Sequence, residues 1–197
     1  AGELDLGLLR RLLEALHGHR VLAQVDALVL LELLQQPIDD PLVKVIAAQV
    51  FAEESMDHSS LLLAHACMIH GVRPEELVLH SDNGGPMKGA TMLATLHKLG
   101  VTPSFSRPSV SNDNPYSESL FRTMKYRPEY PSKPFESVDQ AQSWVDGFVF
   151  WYNTQHLHSS IRFVTPDDRH YGRENHILAN RKKVYQEARI PNPNRWS

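Results

Sequence analysis

Leucines recur at helical spacing through the first part of the chain. Thirteen leucines lie within residues 1–35, in runs such as LLRRLLEALHGHR and VDALVLLELL. Apolar residues that recur every three or four positions are typical of an amphipathic helix. The two prolines of QQPIDDP then end the pattern. We therefore predict that residues 1–40 form a leucine-rich helical segment, distinct from the rest of the chain.

Strand and helix patterns alternate over the remaining residues, 41–197. Strands are predicted at short apolar runs, several of them rich in β-branched residues, at 43–52, 77–80 and 101–106. Helices are predicted where a capping signal or an amphipathic run begins. The predicted helices start after Ser55, near residue 88, at Asn114 and Pro115, after Ser137, and near residue 175. This alternation predicts an α/β fold, with a partly parallel, mixed sheet flanked by helices.

Charge changes sign along the chain. Residues 1–106 carry 7 Lys and Arg against 13 Asp and Glu, whereas residues 107–197 carry 13 against 10. The cationic half is where a polyanion such as DNA is expected to bind. The one cysteine, Cys67, excludes an internal disulfide framework, and no apolar run reaches the roughly eighteen residues that cross a bilayer. We therefore expect a cytoplasmic protein with no membrane partner.

Two carboxylates stand out by position. Asp82 directly follows the apolar run LVLHS, and functional side chains of open α/β sheets gather beyond the carboxyl ends of strands. Glu118 lies thirty-six positions later on a predicted helix, and it shares a face with Arg122 and Lys125. Taken singly, SDNGG is typical of a turn and Glu118 of a solvated helix. Taken together, two carboxylates that could hold Mg²⁺ beside phosphate-binding cations favour phosphodiester chemistry.

Several motifs together resemble the bacterial insertion-sequence transposases of the insertion sequence three family. They are HSDNG, the gap of thirty-five residues to Glu118, SRPSVSNDNPYSESLFRTMKYRPEYP, Lys125 seven positions beyond Glu118, and FVFWYNTQHLHSSI followed by TPDDRHYGR. The resemblance covers roughly residues 44–190. It implies that residues 41–197 form a partial ribonuclease-H-like catalytic core of the retroviral-integrase type, with C-terminal helices.

The resemblance also implies a reaction and a role for each residue. Such transposases cut and join DNA strands with Mg²⁺ or Mn²⁺, using a triad of Asp, Asp and Glu. Asp82 would be the second acid, Glu118 the third, and Lys125 the lysine that contacts the DNA end. Further DNA contacts are expected at Arg107, Asn112, Asn114 and Arg122. The implied partners are element-end DNA and target DNA, and a homo-oligomer is a further expectation.

The first acid of the triad has no evident counterpart. Family members carry it in a Trp-x-Asp-x-Thr strand, but here no Trp precedes Trp144 and no Thr precedes Thr91. The acid nearest to the expected position, Asp26, lies inside a helical pattern. We hypothesise that residues 1–40 derive from a shifted reading frame or from rearranged DNA, and that they replace the first core strands with the leucine-rich helical segment.

Impaired catalysis follows from this hypothesis, because two carboxylates neutralise a bound Mg²⁺ less completely than three. Two alternatives to an active transposase therefore remain open. One is a DNA-binding remnant without chemistry. The other is a helical interaction module over residues 1–40 that pairs with a partner.

Overall fold

The computed structural model describes residues 2–3, 27–33, 44–53, 55–81, 88–105, 115–191 and 193–195. Strands β1 to β5 are, in order, Gly2–Glu3, Ala27–Leu33, Lys44–Phe51, Val78–Ser81 and Thr102–Phe105. Helices α1 to α6 are Met56–Ile69, Ala90–Leu99, Pro115–Lys125, Val138–Thr154, Pro166–His170 and Glu174–Arg189. Two short 3₁₀ helices, Ser159–Ile161 and Pro193–Arg195, follow α4 and α6. The predicted α/β architecture is confirmed.

Strand β4 is the middle strand of a parallel sheet with the order β1-β4-β5. The register pairs Val78–Ser81 with Thr102–Phe105, and Gly2–Glu3 with Leu79 and His80. Neighbouring parallel strands need a crossover connection, which α2 supplies between β4 and β5. The carboxyl ends of these strands therefore point to one edge of the sheet.

A glycine closes the turn between α2 and β5. Gly100 ends α2 with a φ of 67°, in the left-handed region that favours glycine. A Cβ at this position would lie 2.6 Å from the Cβ of Pro74. The Gly100 carbonyl accepts a hydrogen bond from the Glu75 N–H, and the Thr102 N–H donates to the Leu77 carbonyl. These bonds fix where β5 begins to pair with β4.

Residues 27–33 form strand β2 and not the predicted helix. All seven pair antiparallel with β3, and the register shifts between Leu31 and Glu32. The run ALVLLEL is apolar at nearly every position, so its local pattern fits a buried strand as well as a helix, and long-range pairing decides. The prediction that a helical segment replaces the first strands is therefore wrong for β1 and β2. The other residues of 1–40 lie outside the described part of the chain.

The core lies between β3 and α4 and extends to α1, α2 and α3. Helix α4 begins after Ser137, whose Oγ accepts a hydrogen bond from the Gln140 N–H at 3.1 Å, as the capping signal predicts. Its buried apolar residues recur at helical spacing: Ala141, Val145, Phe148 and Tyr152. They pack in one cluster with Val45 and Val50 of β3, Leu62 and Leu63 of α1, Met92 and Leu96 of α2, and Leu120 and Met124 of α3.

A second, smaller contact region joins the C-terminal helices to the body. Lys44, the first residue of β3, forms an ion pair with Asp167 of α5 at 2.8 Å and donates a hydrogen bond to the Tyr171 hydroxyl at 3.1 Å. Ile161 and Val164 are buried against the half-buried side chains of α6. No helix in the described ranges is both long enough and apolar enough to cross a membrane.

Candidate active site

The carboxyl end of β4 is the first part of the predicted site. The strand ends at Ser81, and Asp82 is the next residue in the sequence. β4 has parallel neighbours on both sides, which is the setting in which functional residues follow the strand end. The predicted strand before Asp82 is thus present. Asp82 itself, with residues 83–87, lies outside the described residues.

Helix α3 is the second part, and it begins at Pro115 as the sequence predicts. Leu120 and Met124 are 1% and 2% exposed, and Phe121 is buried with them in the core cluster. Arg122 and Lys125 are exposed to solvent. Packing of the apolar face therefore fixes α3 against the core and leaves two cations facing water. Glu118 belongs to this helix, but its side chain lies outside what the structure describes.

The remaining predicted DNA contacts lie outside the described residues. Three predicted DNA-binding residues fall in the undescribed stretch 106–114, namely Arg107, Asn112 and Asn114. Among the side chains that the structure does describe, no group of three or more His, Cys, Asp or Glu could hold a metal ion. Asp82 and Glu118 are outside that set, so their roles stay predictions. Their carboxylate oxygens are hard donors of the kind Mg²⁺ prefers.

His156 and His158, which follow α4, pack into an aromatic cluster with Tyr152. The ring of His156 stacks on Tyr152 with centroids 5.3 Å apart, and His158 is buried with its Nδ1 2.8 Å from the Ser160 Oγ. Burial lowers the pKa of His158, and the neighbouring His156 lowers it further. Burial also lowers the pKa of His156, with a smaller contribution from the charge of Arg127. The folded chain therefore disfavours protonation of both imidazoles.

Acid should destabilise the fold through these histidines. Their folded pKa values lie below the ordinary value of 6.5, so the unfolded chain binds protons that the folded chain excludes. Stability from this source is complete above about pH 6.5 and is lost as the pH falls towards the folded values. Urea unfolding at about pH 7.5 and about pH 5.5 measures the loss. The double substitution His156→Gln with His158→Gln should make this pH dependence shallower, and an unchanged dependence would contradict the assignment.

Two family profiles match different parts of the chain. The integrase core domain matches residues 99–166, from the last residue of α2 to the first of α5. NAD-specific glutamate dehydrogenase matches residues 1–71. The sequence of 1–71 contains no G-x-G-x-x-G fingerprint, which is the glycine pattern typical of dinucleotide binding. In the structure β3 and α1, which lie within residues 1–71, share one core with α3 and α4, which lie within residues 99–166. These parts of the two matched ranges therefore belong to one fold.

Curated relatives are transposases by name. The transposase for insertion sequence element IS904 of Lactococcus lactis is 29% identical over 93 residues, which are 47% of this chain and 36% of that protein. An uncharacterized transposase-like protein of Haemophilus influenzae is 23% identical over 124 residues, which are 62% of this chain and 56% of that protein. The chain therefore spans between about a third and just over half of the length of these relatives.

The fold is similar to that of solved structures. A chain of the simian T-cell lymphotropic virus intasome, in complex with the PP2A regulatory subunit B56 gamma, matches with a TM-score of 0.53 and 15% identity. The match covers 73% of this chain and 47% of that chain. The sheet, the match over 99–166 and the named relatives agree with one another. By these comparisons the chain is similar to insertion-sequence transposases that have an integrase-like core.

Proposed function

We propose that this chain carries the metal-dependent site of a transposase that cleaves DNA strands at element ends and joins them to target DNA. One observation carries the proposal. The middle strand of a parallel sheet ends directly before Asp82, and the helix that contains Glu118 is anchored by buried Leu120 and Met124. Each acid thus belongs to, or directly follows, an element that the core holds in place.

The chemistry is a displacement at phosphorus. The 3′ hydroxyl oxygen of a cleaved strand attacks a phosphorus atom of target DNA and loses its proton. A new P–O bond forms, and the P–O bond to the 3′ oxygen of the target strand breaks, leaving that oxygen to take up a proton. Mg²⁺ or Mn²⁺, when bound, stabilises the charge on the attacking and leaving oxygens. Asp82 and Glu118 would hold the ion through their carboxylate oxygens.

The cations of α3 would hold the DNA against this site. Arg122 and Lys125 are exposed, and no described carboxylate forms an ion pair with either of them. Exposed cations can donate to phosphate oxygens, and charge-assisted bonds to phosphate are among the stronger polar contacts. We propose that Lys125 positions the DNA end and that Arg107, Asn112 and Asn114 extend the contact.

Strand β1 suggests where a third carboxylate could come from. It lies parallel to β4, with Glu3 in register beside His80, two positions before Asp82. The sequence GELD carries Asp5 two residues after Glu3. Although the Trp-x-Asp-x-Thr motif is absent, we infer that an acid of GELD, the sequence that begins with β1, contributes the missing carboxylate.

A DNA-binding remnant without chemistry is the second candidate, because the motif of the first acid is absent from the sequence. The third reading, a helical interaction module over residues 1–40, loses support at 27–33, since those residues pair with β3 in a sheet.

Cleavage of a DNA duplex that carries the terminal repeats of the parent element tests the proposal. The chain is incubated with Mg²⁺, with Mn²⁺ or with a chelator, and nicks are mapped on both strands. Nicks that expose 3′ hydroxyls at the element boundary, and that need a metal, support the proposal. Binding of the duplex without nicks under either metal would instead assign the chain to the remnant.

A further inference from the structure

Helix α6 carries a basic cleft that the site described above does not use. None of its sixteen residues is buried, and the helix carries four Lys and Arg against two Glu. An open cleft of about 690 Å³ lies along it. The polar and aromatic residues that line the cleft are Arg162, Arg181, Lys182, Tyr185, Gln186 and Arg189. All four of the charged residues in this lining are cations.

A strained turn forms one wall of the cleft. Arg162 and Phe163 have φ values of 62° and 57°, in the left-handed region that non-glycine residues rarely adopt. The guanidinium of Arg181 holds the turn, donating from Nη1 to the Arg162 carbonyl at 2.7 Å and from Nη2 to the Phe163 carbonyl at 2.9 Å. Arg181 thereby ties α6 to the turn and fixes Arg162 at the rim. Strain of this kind persists only where the surroundings over-determine it.

The cations at the rim of the cleft have no ion-pair partner among the side chains that the structure describes. Among the described side chains, no carboxylate lies within ion-pair distance of Arg162, Lys182 or Arg189. Lys183 differs, since it pairs with Glu187 on the same helix at 3.9 Å and does not line the cleft. Three unpaired cations held around one concave surface repel one another, and an anionic ligand would relieve that repulsion.

We propose that the α6 cleft binds the sugar–phosphate backbone of DNA, as a second contact surface besides α3. The proposal rests on the proposed function and deepens it. Lys182 and Arg189 lie seven residues apart, which is about 10 Å along a helix, so they can reach successive phosphates of one strand. Arginine suits phosphate because its guanidinium donates two parallel hydrogen bonds. The exposed aromatic ring of Tyr185 between them suits contact with a sugar or a base.

Salt dependence of DNA binding tests the cleft. A labelled DNA duplex is titrated with the full chain in the absence of divalent metal, over a series of salt concentrations, with fluorescence anisotropy as the readout. Each lost phosphate contact should lower the slope of log affinity against log salt by about 0.9. The double substitution Lys182→Gln with Arg189→Gln should therefore lower the slope by about 2. Both side chains are exposed, so the thermal unfolding midpoint should stay at the wild-type value.

Lys183→Gln is the matched control, because it removes a cation from the same helix outside the cleft, and it should leave the slope unchanged. An unchanged slope in the double variant would overturn the proposal. So would tighter binding of an acidic peptide of equal charge, which would make the cleft a protein-docking site.

Cleavage of the DNA is measured in a separate assay. Metal-dependent nicking with an unchanged slope refutes the cleft alone, whereas a lowered slope without any nicking supports the cleft and refutes the proposed activity.

Discussion

Replacing Glu118 with glutamine should reduce metal-dependent cleavage of element-end DNA by roughly 100-fold or more. Glutamine keeps the size of the side chain but removes the charge that neutralises the metal. A metal ion at such a site supplies several kcal/mol of transition-state stabilisation, and each 1.4 kcal/mol or so is a factor of ten in rate. Asp82→Asn should have an effect of the same order. The rate of nicking under single-turnover conditions measures both.

Glu136→Gln provides the control for these substitutions. Glu136 is exposed and precedes the N-cap of α4, so the same chemical change there should leave cleavage at the wild-type rate. DNA binding without metal should persist in Glu118→Gln, since the cations of α3 and α6 are intact. A Glu118→Gln variant that nicks DNA at the wild-type rate would remove Glu118 from the site.

Replacing Asn153 with alanine should destabilise the fold by about 2–6 kcal/mol. Asn153 is buried on α4; its Oδ1 accepts from the Val45 N–H at 3.0 Å, and its Nδ2 donates to the Val45 carbonyl at 2.8 Å. Alanine would leave both polar groups of the Val45 backbone without these partners inside the core, and each such group costs about 1–3 kcal/mol. The midpoint of urea unfolding measures the loss.

Gln155→Ala is the comparison for that measurement. Gln155 is exposed and lies two residues along from Asn153, at the end of α4, so its truncation should change stability by about 0.5 kcal/mol or less. Equal effects of the two substitutions would show that the link between α4 and β3 is not important for stability.

The helices could be predicted from sequence because their signals are local. Ser55 and Ser137 cap α1 and α4 through side-chain oxygens, and a glycine, Gly100, ends α2. Strand β2 could not be predicted, because a nearly unbroken apolar run fits the helical period and the strand period equally well. Its pairing with β3, which is distant in sequence, makes it a strand. Helix α5 was missed although Thr165 accepts from the Asp168 N–H at its start, since a five-residue helix leaves little pattern to read.

The residue types and spacing of the candidate site could be read from the sequence, but the arrangement of the elements that carry them could not. The spacing of Asp82, Glu118 and Lys125 is visible in the sequence. The structure adds the parallel strand that ends before Asp82 and the packed helix that contains Glu118. The pairing of β1 with β4 could not be predicted, because β1 lies seventy-five residues before β4 and a local sequence pattern carries no signal for such a pairing.

The most direct test of the central claim is a crystal structure of the chain grown with Mn²⁺, with the ion located by its anomalous scattering. The proposal predicts a Mn²⁺ ion bound by both the Asp82 and Glu118 carboxylates, at the edge of the sheet where β4 ends, with a carboxylate of GELD nearby. If the two carboxylates instead point to separate surfaces and share no ion, the proposed metal site is contradicted, and with it the proposed reaction.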